Sequence, residues 1–221
     1  MQLHLFERFI LITLDQKKGR FLIDSLSLNY GIAGAILLEL SKLNKITLQN
    51  KRLIVKDLEP TNNIILDTCI KLINSSKKKR GAKFWIFKIG NKSSNFKKII
   101  LKELIENKIL KINKETYLWG LMKFFRYPII NTNEIEELTT KLKKIVLEDK
   151  KPDIDGLLLL SLMNSCKLIR ILFIKKKEHK AARKRIEELT RNIEISEDVR
   201  QTLKEIQTAI VAATLTTYVS P

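Results

Sequence analysis

Apolar residues recur every three to four positions over most of the chain, which is the spacing of helices that bury one face or are buried on all sides. The first such segment is 3–14, and a longer one, 30–43, contains Gly31 and Gly34, which would let a neighbouring element approach closely. Further helices are predicted over 62–73, 96–107, 134–147, 154–173, 178–190 and 197–218. The pattern therefore predicts a mainly α protein.

Two short β-hairpins interrupt the helical pattern. The apolar runs 46–48 and 53–55 flank four polar residues, which predicts a tight hairpin. A second hairpin is predicted within 110–125, with its turn around Asn113, Lys114 and Glu115. Its second arm is apolar at consecutive positions, whereas a surface strand usually alternates, so we expect something to cover that arm.

The length and composition indicate one domain over residues 1–221. A chain of 221 residues with 44% hydrophobic content and few glycines or prolines can bury a sizeable core. We see no repeat of fixed period and no long linker that would divide it. The fold class that follows is a single-domain helical bundle with short β-hairpins.

The charge of the chain is strongly positive. Lys and Arg number 42 against 24 Asp and Glu, which gives a formal net charge of +18. A net charge of this size is larger than solubility requires, and it indicates a polyanionic partner. Part of it reflects a composition rich in Lys, Ile and Asn, which adds lysine to any solvated face.

The positive charge is concentrated in residues 77–102, which contain ten basic residues and no acidic one. Phe84, Trp85, Phe87 and Phe96 are interleaved with them. Basic residues mixed with aromatic ones suit an anionic membrane interface or a nucleic-acid backbone. The alternative is that 77–80 is a solvated loop and that Phe84, Trp85 and Phe87 pack inward. A second basic stretch, 175–185, is interpreted as a solvated helix face.

Neither a disulfide framework nor a membrane span is predicted. Cys69 and Cys166 each lie in an apolar helical pattern, which fits a reducing, cytoplasmic compartment. The N-terminal apolar run contains Glu7 and Arg8, so it does not resemble a signal peptide. Because polar residues also interrupt the apolar stretch 157–174, any contact with a membrane is expected to be peripheral.

The sequence shows no convergent set of catalytic groups, so we expect no enzyme, no cofactor and no metal. His4 and His179 lie far apart in unlike contexts. Asp153 and Asp155 follow Pro152 and precede an apolar helix, where carboxylates favour the helix start. We interpret them as helix-capping residues rather than as metal ligands.

A series of short motifs gives the chain a family resemblance. In order, these are LITLD (11–15), GRF (19–21), YGIAGAILLEL (30–40), EPT (59–61), WI (85–86), LIENKIL (104–110), YP (127–128) and AIVAA (209–213). Together they resemble the Golgi phosphoprotein 3 family over nearly the whole chain, in a compact, bacterial-type form. The resemblance implies a helical domain, peripheral on membranes, whose eukaryotic members bind phosphatidylinositol 4-phosphate and retain glycosyltransferases in the Golgi.

The resemblance also implies that the hairpin at 110–125 protrudes from the domain. Its apolar residues Tyr117, Leu118, Trp119 and Leu121 would then insert in a membrane or mediate assembly into a homo-oligomer. Interfacial tryptophan is suited to such a position. Both roles stay open.

The family's headgroup pocket is only partly present. Its tryptophan would fall on Leu22 or Asp24, its first arginine on Ala33, and the first of two further basic residues on Ser94, while Lys97 matches the second. Lys97 and the adjacent lysine can hold a phosphate as point charges, without the bidentate geometry of arginine. The predicted headgroup-binding residues are Lys97, Lys98, Lys78, Lys79 and Arg80.

The sequence therefore predicts a peripheral membrane protein that binds acidic phospholipid headgroups through a basic surface and an apolar hairpin. Such a protein could serve as an adaptor for the cytoplasmic tails of membrane enzymes. The alternative is a nucleic-acid-binding module that uses the same basic surface, since a positive surface also suits a phosphate backbone.

Overall fold

The computed structural model describes residues 3–117, 122–148, 152–173, 175–192 and 195–215, with the backbone alone at 117, 122 and 215. These residues form a mainly α fold, as predicted. Its elements are α1 (Leu5–Thr13), α2 (Ser25–Lys42), β1 (Ile46–Gln49), β2 (Arg52–Val55), α3 (Ile64–Asn74), α4 (Ala82–Gly90), α5 (Ser93–Glu106), β3 (Asn113–Tyr117), β4 (Met122–Arg126), α6 (Thr132–Leu147), α7 (Ile154–Ser165), α8 (Ile169–Leu172), α9 (Lys176–Asn192) and α10 (Glu197–Leu215).

Helix α2 is the centre of the core, and residues 30–41 are buried on every side of it. It packs against α1, α4, α7 and α10. Two glycines permit this packing, as the sequence indicated. A Cβ on Gly31 would lie 2.1 Å from Cζ of Phe9, and one on Gly34 would lie 2.8 Å from Cδ1 of Ile210.

Asp24 determines where α2 begins. Its carboxylate accepts a hydrogen bond from the backbone N–H of Ser27 at 2.8 Å, which is the geometry of a helix N-cap. The helix therefore starts at Ser25, five residues before the predicted start. Helix α4 was not predicted at all, because its short apolar run 84–87 lies within the basic run and does not have the spacing of an amphipathic helix.

The predicted continuous helix over 154–173 is wrong, because the chain turns at Lys167. Lys167 has a positive φ of 59°, and the N–H of Leu168 donates to the carbonyl of Met163 at 2.8 Å. This is a Schellman-type termination. The apolar pattern continues beyond it only because α8 buries Ile169 and Leu172. At the other end of α7, Asp153 accepts from the N–H of Gly156, so its predicted capping role is confirmed.

The first hairpin is confirmed. Strands β1 and β2 pair from Ile46 opposite Val55 to Gln49 opposite Arg52. The two residues between them, Asn50 and Lys51, both have positive φ, which suits a two-residue turn with the twist of the flanking strands.

The second hairpin exists, but its predicted turn is wrong. Asn113, Lys114 and Glu115 lie in β3, which pairs with β4 from Asn113 opposite Arg126 onwards. The connection between the strands falls within 118–121, outside the described residues. The polar side chains suggested a turn, but they are also compatible with a strand that faces solvent, and Lys114 is exposed.

The expected cover of the second arm does not come from the part of the protein that the structure describes. Phe124 is 39% exposed and Phe125 is 52% exposed. The arm is therefore an apolar segment at the surface.

A buried charge network joins α1, α2 and α7. The carboxylate of Glu39, 3% exposed, accepts from the backbone N–H of Leu5 at 2.7 Å and lies 2.8 Å from Nζ of Lys42. Nδ1 of His4 lies 3.5 Å from the same carboxylate. Lys42 also contacts Asp155 at 2.8 Å. Together with the apolar core, this network fixes α1, which leads into the candidate site.

Candidate functional site

The connection between α1 and α2 (residues 14–24) is folded back on itself. Leu14 and Phe21 pair as an antiparallel bridge, and the N–H of Leu22 donates to the carbonyl of Thr13 at 2.8 Å. The Asp15 carboxylate accepts from the backbone N–H groups of the two lysines that follow Gln16. These bonds hold Phe21 in a defined position at the surface.

Two backbone hydrogen bonds attach this connection to the base of the second hairpin. The N–H of Tyr127 donates to the carbonyl of Gly19 at 2.8 Å, and the N–H of Ile129 donates to the carbonyl of Gln16 at 3.0 Å. Gly19 has φ +64°, and a Cβ there would lie 2.2 Å from the backbone nitrogen of Pro128. Only glycine fits this close approach, so the connection and the hairpin base form one unit.

Lys97, on α5, extends over this unit. Its Nζ lies 5.4 Å from the centroid of the Phe21 ring, within cation–π range. The rings of Phe21 and Tyr127 are 6.5 Å apart. We refer to Phe21, Lys97, Lys98 and Tyr127 as the Lys97 cluster.

The electrostatics of the Lys97 cluster favour an anion. Burial lowers the pKa of Lys97, and the neighbouring charge of Lys98 lowers it further. Among the residues that the structure describes, no carboxylate forms an ion pair with either lysine. A ligand phosphate would supply the missing counter-charge.

The remaining predicted headgroup residues lie elsewhere. Lys78, Lys79 and Arg80 are exposed in the connection between α3 and α4, which we call the basic loop. The carbonyl of Arg80 accepts from the N–H of Leu53 on β2 at 2.9 Å. The structure thus places the basic loop against the first hairpin, whereas Lys97 contacts the connection between α1 and α2.

The aromatic residues of the basic run divide between core and surface. Trp85 is completely buried and Phe87 packs, partly buried, against the core, so for these two the inward-packing interpretation is confirmed. Phe84 is 38% exposed, and the guanidinium of Arg80 lies 5.0 Å from its ring centroid. Phe84, on α4, is therefore the exposed aromatic residue beside the basic loop.

The predicted insertion residues lie at the edge of what the structure describes. Leu118, Trp119 and Leu121 are outside the described residues, and Tyr117 is described by its backbone alone. The described part of the hairpin and its flanks exposes apolar side chains, and the sequence did not predict this exposure. The apolar side chains exposed there are Ile112 (50%), Phe124 (39%), Phe125 (52%) and Ile130 (50%).

These residues lie in the strands or within four residues of them, and Tyr127 of the Lys97 cluster directly follows β4. Lys114 is the cross-strand partner of Phe125, and Lys123 precedes Phe124. The signal in the sequence was the lack of alternation in 121–125, which was interpreted as a need for cover rather than as exposure.

The positions that depart from the family's pocket have structural roles of their own. Ala33 is fully buried in α2, and Asp24 caps the same helix. Ser94 is exposed on α5, one turn before Lys97, and Leu22 is 37% exposed. Of these positions and Lys97, only the lysine offers a positive charge to a headgroup.

The fold and the site define a class: a mainly helical protein whose candidate site is an open cationic and aromatic surface beside an apolar hairpin. None of the described helices is long and apolar enough to cross a membrane. The Golgi phosphoprotein 3 (GPP34) family model matches residues 5–206. The chain belongs to the Golgi phosphoprotein 3 family, as the order of its motifs predicted.

Proposed function

We propose that the protein binds anionic phospholipid headgroups at a membrane surface, as a peripheral protein without a catalytic step. The observation that carries this proposal is the position of Lys97. Its amine has no carboxylate partner among the described residues and lies over the ring of Phe21. That ring is 6.5 Å from the ring of Tyr127, at the base of a hairpin whose Phe124 and Phe125 are exposed. Cationic and apolar groups at one site match the two layers of a membrane interface.

The energetics of such binding are sufficient without a deep pocket. Each lysine or arginine near an anionic surface contributes about 1 kcal/mol. The Lys97 cluster and the basic loop together provide five such charges: Lys97, Lys98, Lys78, Lys79 and Arg80. Shallow insertion of exposed phenylalanines adds an apolar contribution that salt does not screen.

We expect charge to dominate over headgroup identity. Lys97 is the only basic residue among the positions matched to the family's pocket, and a single ammonium group lacks the bidentate geometry that selects a phosphate monoester. Phosphatidylserine-rich and phosphatidylinositol 4-phosphate liposomes of equal surface charge should therefore bind similarly.

The test is co-sedimentation with neutral, phosphatidylserine-rich and phosphatidylinositol 4-phosphate liposomes at low and physiological salt. Lys97→Glu together with Lys98→Glu should weaken binding to anionic liposomes by roughly 2 kcal/mol, which is about thirtyfold. The matched control is Lys180→Glu with Lys184→Glu on α9, which changes the net charge equally on a helix that packs against α6, α7 and α8.

The control distinguishes a local site from overall charge. If both double variants lose binding to the same extent, the protein responds only to its net charge and the Lys97 cluster has no special role. If the Lys97 and Lys98 variant binds like the wild type, headgroup binding at this site is excluded.

The nucleic-acid alternative uses the same charges, so the charge-reversal variants should weaken both kinds of binding and cannot separate the two functions. We favour the membrane because apolar side chains surround the Lys97 cluster at the hairpin base. A duplex or single-strand mobility-shift assay at equal salt tests the alternative directly. Strong binding to nucleic acid with no binding to any liposome would replace the membrane proposal.

A further inference from the structure

A cavity of about 340 Å³ lies between α1, α6, α8 and the connection between α1 and α2. Its volume is within the range of small-molecule sites, roughly 300–1,000 Å³. It is separate from the Lys97 cluster. Phe21 packs toward Lys97, whereas the next residue, Leu22, lines the cavity. Successive side chains of an extended segment point to opposite sides, which explains why Phe21 faces Lys97 and Leu22 faces the cavity.

The floor of the cavity is apolar. Leu11, Leu14, Ile135 and Leu172 line it and are all buried. Leu22 continues this surface outward at 37% exposure. The part of a ligand that reaches the floor must therefore be apolar, because polar atoms there would lose their hydrogen bonds to water.

The rim of the cavity is cationic. Lys17 on the connection and Lys143 on α6 both line it and are exposed. Asp15 also lines it, but its carboxylate already accepts from the backbone N–H groups of Lys17 and Lys18. It further lies 4.0 Å from Nε of Arg20. The charge that the rim offers to a ligand is thus positive.

We propose that this cavity binds a single-chain anionic amphiphile, with its apolar chain on the floor and its anionic head between Lys17 and Lys143. A neutral amphiphile would leave the two lysines without a partner, and a small free anion would leave the floor empty. This activity goes beyond headgroup binding at a bilayer, because it requires only a monomeric ligand.

The first test is calorimetric titration of the full chain with decyl phosphate below its micelle concentration. Decyl phosphate should bind with one-to-one stoichiometry, and decanol and inorganic phosphate should each bind at least about tenfold more weakly. Octyl phosphate should bind roughly tenfold more weakly than decyl phosphate, because it buries two fewer methylene groups. Equal affinities for decyl phosphate and decanol, or no binding of decyl phosphate, would overturn the proposal.

The second test locates the ligand. Lys17→Glu with Lys143→Glu should weaken decyl phosphate binding by about tenfold. The matched control, Lys18→Glu with Lys144→Glu, changes neighbouring exposed lysines on the same two segments and should leave the affinity unchanged. An equal loss in both variants would refute the site.

The Lys97→Glu and Lys98→Glu variant separates this inference from the proposed function. It should lose binding to anionic liposomes while it retains the affinity of the wild type for decyl phosphate. Loss of decyl phosphate binding in this variant would assign the amphiphile to the Lys97 cluster and overturn the cavity proposal. Circular dichroism spectra of all variants should match that of the wild type.

Discussion

At the scale of single residues, the buried carboxylate of Glu39 is the clearest case of a side chain whose chemistry the fold has changed. Burial by itself would raise its pKa, but hydrogen bonds from His4, Lys42 and the backbone of Leu5 outweigh burial and lower the pKa from 4.5 to about 2. The hydrogen bond between His4 and Glu39 also raises the pKa of His4. Both shifts link the stability of the fold to pH.

Glu39→Gln should lower the free energy of unfolding by about 3 kcal/mol near neutral pH. Because the folded pKa of Glu39 is lowered, its contribution is complete above its ordinary pKa and is lost as pH falls toward 2. Because the folded pKa of His4 is raised, its contribution is present below 6.5 and is lost as pH rises past its folded value. The difference between the wild type and the variant should be largest between about pH 5 and 6.

Urea unfolding across this pH range measures that difference. Glu106→Gln, which alters an exposed ion pair with Lys102, serves as the control and should change stability little at any pH. A difference between Glu39→Gln and the wild type that stayed constant down to pH 2 would show that the carboxylate charge contributes nothing.

At the scale of elements, left-handed residues at helix ends determine where the helices stop. Lys108 has φ +57°, and the N–H of Ile109 donates to the carbonyl of Leu104 at 2.9 Å, which ends α5. The same geometry at Lys167 separates α7 from α8. In both places a lysine occupies a conformation that glycine adopts without strain.

Lys108→Gly should therefore raise the free energy of unfolding by about 1 kcal/mol, because it removes the left-handed strain at the end of α5. Lys102→Gly, on the exposed face of the same helix, should lower the free energy of unfolding by about 1 kcal/mol. Chemical denaturation of both variants measures the two changes in the free energy of unfolding, which should have opposite signs. Destabilisation by Lys108→Gly would mean that its side chain contributes more than the strain costs.

Such helix ends also show how far the sequence predicts the fold. The long apolar periods of α2 and α10 predicted helices there, and the four polar residues 49–52 between two apolar runs predicted a turn. The break at Lys167 was not predicted, because lysine gives no signal for a left-handed conformation and the apolar pattern runs through it. Exposure of Phe124 and Phe125 was missed because apolar residues at a surface contradict the usual pattern of burial.

The candidate site was predicted in the same partial way. Lys97 was identified through the family motif. Its contact with Phe21 was not, since 76 positions separate the two residues in the sequence. The cavity beside Leu22 was not predicted either, because its lining comes from α1, α6 and α8, which the sequence does not bring together.

At the scale of the whole molecule, the positive charge and the exposed apolar residues act together. The basic loop and the Lys97 cluster lie against different elements, so two sets of charges face the solvent. The Lys97 cluster adjoins the base of the hairpin that carries the exposed Phe124 and Phe125, whereas the basic loop contacts the exposed Phe84. The two contributions to membrane binding should therefore differ in their response to salt.

Phe124→Ser with Phe125→Ser should remove the salt-resistant part of liposome binding. At low salt the variant should still bind phosphatidylserine-rich liposomes through its lysines. At about 1 M salt the Debye length is about 3 Å, and there the variant should lose the binding that the wild type retains. Co-sedimentation over a salt series measures this. The control is Phe84→Ser, on α4 beside the basic loop, which should retain the residual binding. Equal curves for all three proteins would exclude an apolar contribution from Phe124 and Phe125.

The attachment of Gly19 and Gln16 to the hairpin base has a consequence for how the sequence can vary. Surface connections usually tolerate insertions and deletions. Here, one additional residue between Gln16 and Gly19 would break the spacing of the two carbonyls that accept from Tyr127 and Ile129. Among functional relatives, this loop should therefore keep its length even where its residues change.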